Sequence, residues 1–444
     1  MGKLLQINPV IRESTSTGRI MREIGEAAMA AGWESWIAYS KGRDGIPEHS
    51  SHLLPVGNKL DVALHAIATR LFDAHGLASR LATKRFIKAV RKLNPDVIHI
   101  HNVHGYFLNY KLLFKYLKES GKPVIWTVHD CWLYTGHCYH YSAAECYKWK
   151  DHCRSCPQKR AFPTSWIADR SYQNFEDKKA AFNSLGDRLT IVTVSDWMRR
   201  EMLSSFLGSE QFKVIHNGID LDIFQPTDSA SVLEKYGLSG KRIILGVASI
   251  WMKEKGMEDF AALAGKIPEQ VRNDNIGVRN DASPSLPADA GNLSIVLVGK
   301  MTSEQKAALP EGIVTIPRTS DAKELAALYS AADVFVNPTW QDNYPTVNLE
   351  ALACGTPVIT YRTGGSPEAL GEIPGTSPGM TEGTISIGAV VEQGDIDGIL
   401  QHILAFMASD KAEISKRCRK FAVENFNKRD RYRDYIGLYE ELTQ

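Results

Sequence analysis

The chain has 444 residues and a formal net charge of +1, with 43% hydrophobic and 23% charged residues. This length exceeds that of an ordinary single domain and predicts two, and the composition is typical of a globular enzyme rather than a disordered or fibrous chain. Since the charges nearly balance, no global field draws the molecule onto nucleic acid, and we expect no nucleic-acid partner.

The amino-terminal sequence MGKLLQINPV is typical of a β-strand and lacks the charged and long apolar regions of a signal peptide. The sequence contains no run of about 18 uncharged apolar residues, so we expect no membrane-spanning helix. Seven cysteines in a chain without an export signal favour a reducing compartment. We therefore expect a cytoplasmic protein.

Short apolar runs alternate with longer amphipathic stretches, which is typical of α/β domains with parallel sheets. A first series of strands is predicted at Lys3–Pro9, Glu34–Ser40, Asp96–His101, Pro123–His129, Leu189–Ser195 and Phe212–His216. A second series is predicted at Arg242–Ala248, Leu293–Gly299, Val314–Pro317, Val334–Asn337, Pro357–Tyr361 and Ala389–Glu392. The turn-forming segment IDLDIFQPTDSA separates the series, and polar residues 271–292 are interpreted as a surface insertion.

The first strand is followed by Ser14 to Gly18, just before the first predicted helix. Backbone amides and a glycine at such a turn can approach a phosphate closely, which makes Gly18 a candidate phosphate-binding residue. A helix cap explains the serine and threonine equally well.

Residues 59–92 hold eight lysines and arginines against two acidic residues, with Leu, Ile and Phe interleaved at helical spacing. A basic amphipathic segment of this kind suits an anionic membrane surface. A solvated basic helix face is the alternative.

Three histidines surround the end of the third predicted strand. His99 and His101 project to one side of it, and His104 follows. They would suit a metal, but hydrogen bonding within a central strand explains them better. We predict that His101, Asn102 and His104 line a polar pocket at this edge of the sheet.

The next strand ends at His129 and Asp130, at the edge where ligands of parallel sheets bind. Both are candidate catalytic residues. A buried histidine with satisfied hydrogen bonds is the alternative for His129.

Four cysteines, Cys138, Cys146, Cys153 and Cys156, are separated by seven, six and two residues. Four thiolates are the right number for a structural zinc ion. Because only one C-x-x-C pair is present, reduced thiols packed in a loop are the alternative.

The segment DNYPTVNLEALACGTPVITY, which begins at Asp342, predicts a loop, a helix, a turn and a strand. Pro345 fits the first helical position, which leaves the amides of Thr346, Val347 and Asn348 free to bind an anion such as a diphosphate.

Further along this helix, Glu350 is placed to accept hydrogen bonds from vicinal ribose hydroxyls; an exposed glutamate on an ordinary helix is the alternative. After the Gly364-Gly365 turn, Ser366 and Pro367 predict a second helix start at the same sheet edge.

This segment, the Gly-Gly turn and HNGIDLDIFQP at residues 216–226 together resemble glycosyltransferase family 4, retaining enzymes of the GT-B fold that include bacterial capsular and exopolysaccharide glycosyltransferases. PDVIHIHN, PVIWTVHD, IVTVSDWM and LGVASIWMKEKG extend the resemblance over nearly the whole chain. It implies two Rossmann-like domains facing across a cleft. The acceptor-side domain comprises residues 1–224 and a returning helix at 428–444, and the donor-binding domain comprises residues 225–427.

The resemblance also implies roles for single residues. Lys255 would bind donor phosphate, Glu350 the ribose and Asp342 the sugar hydroxyls, where family members commonly have glutamate. Ile250 stands where the family usually has an arginine, and Lys253 is a candidate substitute. The predicted catalytic residues are His129, Asp130, Asp342 and Lys255. The predicted acceptor-side residues are His101, Asn102 and His104. The predicted donor-binding residues are Gly18, Lys253, Lys255, Arg318, Asp342, Asn343, Tyr344, Thr346, Val347 and Glu350.

The function implied by the resemblance is transfer of a hexose from a UDP- or GDP-sugar to a glycan or lipid-linked acceptor, with retention at the anomeric carbon. We expect no metal to be required for catalysis, and a place at the inner face of the membrane in cell-surface polysaccharide synthesis. The alternatives are a nucleotide-sugar 2-epimerase and a non-catalytic protein that binds nucleotide sugars.

Overall fold

A computed structural model describes residues 2–12, 15–42, 51–274, 293–319, 321–372 and 387–444. The chain forms two compact units. The first comprises Met1–His216 and Arg429–Gln444, and the second comprises Asn217–Lys428. Ser14 and most of the predicted insertion, residues 275–292, lie outside the described residues.

Each unit contains one sheet in which all strand pairs are parallel. The strands are β1 Lys3–Ile7, β2 Glu34–Tyr39, β3 His52–Pro55, β4 Val97–Ile100, β5 Val124–Val128, β6 Leu189–Thr193, β7 Gln211–Val214, β8 Arg242–Ile250, β9 Leu293–Lys300, β10 Ile313–Ile316, β11 Val334–Asn337, β12 Val358–Tyr361 and β13 Gly388–Val391. The first sheet has the order β3-β2-β1-β4-β5-β6-β7, and the second has the order β10-β9-β8-β11-β12-β13. These are doubly wound orders, so the predicted α/β class with two parallel-sheet domains is confirmed.

The described helices cover both sheets. They are α1 Ser16–Ala30, α2 Lys59–Phe72, α3 Arg80–Leu93, α4 Tyr110–Ser120, α5 Ser171–Phe182, α6 Asp196–Leu203, α7 Ala230–Lys235, α8 Met257–Asp274, α9 Ser303–Ala307, α10 Ala322–Ala331, α11 Thr346–Ala353, α12 Ile396–Met407, α13 Lys411–Asn425 and α14 Lys428–Thr443. Among the residues described, none of these helices is both long and apolar enough to cross a membrane.

The core of the first unit joins its central strands to the last helix. Leu4, Val97, Ile125 and Val192 come from adjacent strands and pack with α14. The tyrosines that the sequence places on one face of that helix, Tyr432, Tyr435 and Tyr439, are all buried in this core. The carboxyl-terminal helix is thus part of the first unit although the second unit precedes it in the chain.

The division between the units falls after His216, eight residues before the predicted boundary at residue 224. Ile219 forms a parallel bridge with Asn427. The Arg419 guanidinium donates to the carbonyl oxygens of Phe224 at 2.8 Å and of Leu221 at 3.1 Å. These bonds attach residues 219–224 to the second unit, and such distant contacts leave no local signal in the sequence.

Candidate functional site

The order of each sheet reverses between two neighbouring strands, β1 and β4 in the first unit and β8 and β11 in the second. Loops that leave the carboxyl ends of such strands diverge and open a crevice, where doubly wound proteins bind ligands. Most of the side chains singled out in the sequence follow these four strands.

In the second unit, the loop after β8 is fastened to the loop after β11. The backbone amide of Trp340 donates to the Glu254 carbonyl at 2.9 Å, and the Thr339 hydroxyl donates to the same oxygen at 3.1 Å. Gly256 has a φ of 75°, and a Cβ there would lie 2.2 Å from the Pro338 carbonyl oxygen. Only glycine allows the two loops to approach this closely.

The contact between these loops brings together Lys255, which was predicted to bind the donor phosphate, and Asp342, which was predicted to bind the sugar hydroxyls. Lys255 Nζ lies 2.7 Å from Asp342 Oδ2, and both side chains are partly exposed. The sequence predicts neither the pair nor its geometry, because the two residues are far apart in the chain. Ile250, at the end of β8, is half exposed and lies in the strand that precedes Lys253.

Helix α11 begins one residue later than the sequence predicts. Pro345 has an extended ψ of 112° and is the residue before the first helical turn, so its predicted place inside the helix is wrong. Its carbonyl accepts the amide of Asn348 at 3.2 Å, so the prediction that this amide is free is also wrong. The amides of Thr346 and Val347 remain at the helix terminus, where first-turn amides point along the axis.

Glu350 is the fifth residue of α11 and is only 6% exposed, so the alternative of an exposed glutamate is excluded. The hydroxyl of Tyr329, on α10, donates to Glu350 Oε2 at 3.1 Å. Burial, followed by the nearby Glu350 charge, raises the pKa of Tyr329 well above its usual value. The tyrosine therefore stays protonated and fixes the orientation of the carboxylate.

The remaining donor-binding candidates of the second unit differ in burial. Asn343 and Tyr344 are buried between Asp342 and α11, whereas Arg318 is exposed in the loop after β10. A Cβ on Gly364, which has a φ of 55°, would lie 1.8 Å from the Asp342 carbonyl oxygen. The Gly364-Gly365 turn is thus pressed against the Asp342 loop, and Pro367–Leu370 then form one 3₁₀ turn.

In the first unit, the corresponding loops hold a polar network. His101 Nδ1 is 3.2 Å from His129 Nε2, and His101 Nε2 is 3.0 Å from Gln6 Oε1. Asn102 donates to Asn8 Oδ1 at 3.1 Å. The sequence analysis missed Gln6 and Asn8, although two amides in the apolar run LLQINP are a usable signal.

The second half of this network contains Asp130. Its Oδ2 is 3.0 Å from His104 Nε2, and its Oδ1 accepts the Trp132 amide at 2.9 Å. Burial acts to raise the pKa of Asp130, but the charge and hydrogen bond of His104 together with the Trp132 amide lower it overall. Burial lowers the pKa of His129 to about 4. At neutral pH the site thus presents an ionised carboxylate beside a neutral imidazole.

Part of this network lines one cavity of the first unit. Its lining includes the predicted acceptor-side residues together with the predicted catalytic pair, namely His101, Asn102, His104, His129 and Asp130. His99 does not line this cavity. Its ring nitrogens are 2.7 Å from the Tyr439 hydroxyl and 2.8 Å from the Thr127 hydroxyl. Hydrogen bonding therefore accounts for this histidine.

Gly18 lies inside α1 rather than in the turn that precedes it. A Cβ at this position would be 2.5 Å from the Arg12 carbonyl oxygen and 2.6 Å from the Thr15 hydroxyl. Close packing of the helix on its preceding loop is a sufficient reason for the glycine, and its predicted contact with a donor stays a prediction.

The four clustered cysteines line one pocket of the first unit, and all are free thiols. The Gly136 amide donates to Cys153 Sγ at 3.2 Å, and a hydrogen bond from Cys138 lowers the pKa of Cys156. Within the described ranges, no three His, Cys, Asp or Glu side chains are grouped so that they could hold a metal ion. The structural zinc stays a prediction.

Comparison with known proteins identifies the class. Residues 17–223 match the model described as Glycosyltransferase Family 4, and residues 242–409 match the model described as Glycosyl transferases group 1. Together the matches leave out only residues 1–16, 224–241 and 410–444. The chain is thus a glycosyltransferase, and its amino-terminal half matches family 4.

One relative and two solved structures to which the chain is similar agree with its assignment as a glycosyltransferase. The chain is 24% identical over 449 aligned residues to a putative colanic acid biosynthesis glycosyl transferase, WcaC, of Escherichia coli K12, covering 99% of this chain and 100% of that protein. Sucrose-phosphate synthase from Thermosynechococcus elongatus superposes with a TM-score of 0.65 at 18% identity, covering 100% and 99% of the two chains. HepE from Anabaena, in complex with UDP and glucose, superposes with a TM-score of 0.64 at 12% identity, covering 99% and 100%. These likenesses confirm the GT-B fold class.

Proposed function

We propose that this glycosyltransferase moves a hexose from a UDP- or GDP-sugar to a glycan or lipid-linked acceptor during synthesis of a cell-surface polysaccharide. The relative named for colanic acid biosynthesis supports the pathway class, and the neighbour that binds UDP and glucose supports a nucleotide-sugar donor. The observation that carries the proposal is the ion pair between Lys255 and Asp342 in front of α11.

The proposed donor site uses three features of the second unit. Glu350, held by Tyr329, accepts hydrogen bonds from the ribose hydroxyls. The amides of Thr346 and Val347 and the positive end of α11 receive the diphosphate. Lys255 donates hydrogen bonds both to the Asp342 carboxylate and to a phosphate oxygen, since an ammonium group has three donors.

Asp342 takes part as the acceptor for sugar hydroxyls. Its carboxylate would repel a nearby diphosphate if it stood alone, but Lys255 neutralises it at 2.7 Å. The pair therefore allows a negative group to face hydroxyls beside a negative leaving group.

In the proposed reaction, the acceptor oxygen bonds to the anomeric carbon on the face from which the diphosphate leaves. The bond between that carbon and the phosphate oxygen breaks, and this oxygen takes the acceptor proton. The helix amides and Lys255 stabilise the charge that develops on the leaving group. In the first unit, neutral His129 is able to donate a hydrogen bond to a sugar hydroxyl.

The test is incubation of the purified chain with labelled UDP- and GDP-sugars and a membrane extract as the acceptor source. Transfer of label to a lipid or glycan that depends on one donor supports the proposal. Interconversion of donors without transfer supports the 2-epimerase alternative, and donor binding without turnover by any sugar supports the non-catalytic one.

A further inference from the structure

Helix α2 of the first unit has its polar side inward and an apolar side outward. Leu60, Leu64 and Ile67 follow one another at spacings of four and three, so they lie on one face, and they are 66%, 56% and 49% exposed. The buried residues of the helix are His65 and Thr69. A surface helix normally shows the opposite arrangement.

Hydrogen bonds fix the buried His65 side chain of α2. His65 Nδ1 is 2.8 Å from the Ser79 hydroxyl, and its Nε2 accepts the Gly76 amide at 3.0 Å. These bonds hold the helix in this rotation, with its leucines toward the outside. The exposed face is thus a consequence of how the helix is fastened.

Two further apolar side chains extend this face at the end of the helix. The Trp166 amide donates to the Arg70 carbonyl at 2.7 Å, which attaches Trp166 and Ile167 to α2. These two side chains are 53% and 70% exposed. The Arg70 guanidinium lies 5.7 Å from the centre of the Trp166 ring. We call Leu60, Leu64, Ile67, Trp166 and Ile167 the apolar ridge.

Basic side chains stand beside the ridge. Gly57, just before α2, packs against Ala82, since a Cβ on Gly57 would lie 3.3 Å from the Ala82 Cβ. The first turns of α3 therefore adjoin the start of α2. The sequence of α3, RLATKRFIKAVRKL, contains no acidic residue, and its exposed cations include Arg80, Lys84, Arg85 and Lys88.

Both acidic residues of the α2 region, Asp61 and Asp73, accept hydrogen bonds. Asp61 accepts the Asn58 amide at 3.0 Å in a capping box. Asp73 is buried and binds His137 at 2.7 Å and the Arg170 amide at 2.8 Å. Asp61 is thus one partly exposed acid against the four exposed cations of α3, so the net charge beside the ridge is positive.

We propose that the apolar ridge and the basic face of α3 bind the surface of an anionic phospholipid bilayer. Exposed leucines and a tryptophan flanked by cations are the composition of helices that lie in the headgroup region. A second copy of the chain is a poorer occupant, because a twofold contact through the ridge brings Arg80, Lys84, Arg85 and Lys88 near their own copies. This inference goes beyond the proposed function, since it concerns where the enzyme works and not which sugar it transfers.

The test is co-sedimentation of the full chain with vesicles of phosphatidylglycerol mixed with phosphatidylcholine, and with vesicles of phosphatidylcholine alone. We expect binding to the anionic vesicles that weakens as salt is raised. The double variants Leu64→Ser with Ile167→Ser, and Lys84→Glu with Lys88→Glu, should each lose binding by roughly tenfold or more.

The controls are matched exposed residues on α13 of the second unit, Val423→Ser and Lys416→Glu, which should bind as the unchanged chain does. Thermal unfolding with and without UDP, done on every variant, separates loss of this surface from misfolding and from failure of the donor site. Equal binding by all variants, or no binding by the folded unchanged chain, overturns the proposal. A dimer that Leu64→Ser with Ile167→Ser converts to a monomer also overturns it, in favour of a second copy.

Discussion

At the scale of single residues, Lys255 and Asp342 form an ion pair in the candidate donor site and do not act independently. Each was predicted from a family resemblance to contact a different part of the donor, yet their side-chain atoms lie 2.7 Å apart. Removal of either one leaves the other charge without this partner. Their contributions to catalysis are therefore coupled and should not add.

Lys255→Ala should lower kcat/KM by roughly 10²- to 10³-fold, the usual loss when one group that stabilises developing charge is removed. The loss should appear in single-turnover assays with a saturating donor. Lys306→Ala, which removes an exposed lysine from α9, serves as the control. Activity unchanged by Lys255→Ala would exclude the lysine from leaving-group stabilisation.

Tyr329→Phe should weaken donor binding by roughly tenfold or more, because Glu350 loses the hydrogen bond that orients it, and a bond to a charged group is worth about 1.5–3 kcal/mol. The measurement is calorimetric titration with UDP. Tyr435→Phe is the control. It removes the hydroxyl of another buried tyrosine, which accepts a hydrogen bond from the Thr127 hydroxyl in the first unit. This variant should change stability and leave the affinity alone; the same drop in UDP affinity for both would argue that Tyr329 acts only on stability.

At the scale of elements, the strands were the most predictable part of the molecule. Most are buried on both faces, so they read as near-continuous apolar runs. The missed strand, β3, is a short edge strand with a burial pattern from half-buried to exposed, and it lacks such a run. The start of α11 was misplaced by one residue because proline is accepted both at the first helical position and just before it.

Loop contacts were less predictable than the elements that they join. Lys253 and Lys255 were singled out as candidate phosphate ligands, but nothing local indicates that Glu254 between them anchors Thr339 and Trp340. Gly256 was not singled out either, although its neighbours were. The packing that makes this glycine necessary involves a carbonyl of another loop.

Gly256→Ala should therefore disturb the donor site more than an ordinary glycine substitution. Its Cβ would collide with the Pro338 carbonyl oxygen at 2.2 Å, in addition to the cost of a φ of 75°. We expect destabilisation of about 1–3 kcal/mol and a loss of UDP affinity. Denaturant unfolding and calorimetric titration measure the two effects.

Gly237→Ala is the matched control in the same unit. Its φ is 65°, but a Cβ there meets nothing within 4 Å, so only the backbone cost applies. This variant should be destabilised by about 1 kcal/mol and keep its UDP affinity. If the two variants behave alike, close packing of the two loops does not support the site.

At the scale of the whole molecule, the two units share a doubly wound plan but differ in how many of their histidines have a pKa lowered by burial. The first unit contains His65, His75, His99, His101 and His129, and burial lowers the pKa of all five. The second unit contains a single histidine, His402, whose pKa burial also lowers. The sequence located several of these histidines on strand ends, but it did not give their burial.

The two units should therefore respond differently to acid. The folded first unit keeps His65 and His129 neutral until about pH 4, whereas an unfolded chain takes up these protons near pH 6.5. The stability from these groups is thus complete above pH 6.5 and is lost as the pH falls from 6.5 toward 4. Each such histidine contributes up to about 3 kcal/mol, so the first unit should lose stability before most carboxylates are protonated.

Scanning calorimetry at pH 7.5, 6 and 5 should resolve one unfolding transition whose midpoint temperature falls steeply with pH and one whose midpoint falls less. His65→Gln, which removes a proton-binding group but keeps polar atoms, should reduce the pH dependence of the steeper transition even if it lowers its midpoint at pH 7.5. Two transitions that fall in parallel, with a slope unaffected by this substitution, would show that buried histidines do not govern the acid response.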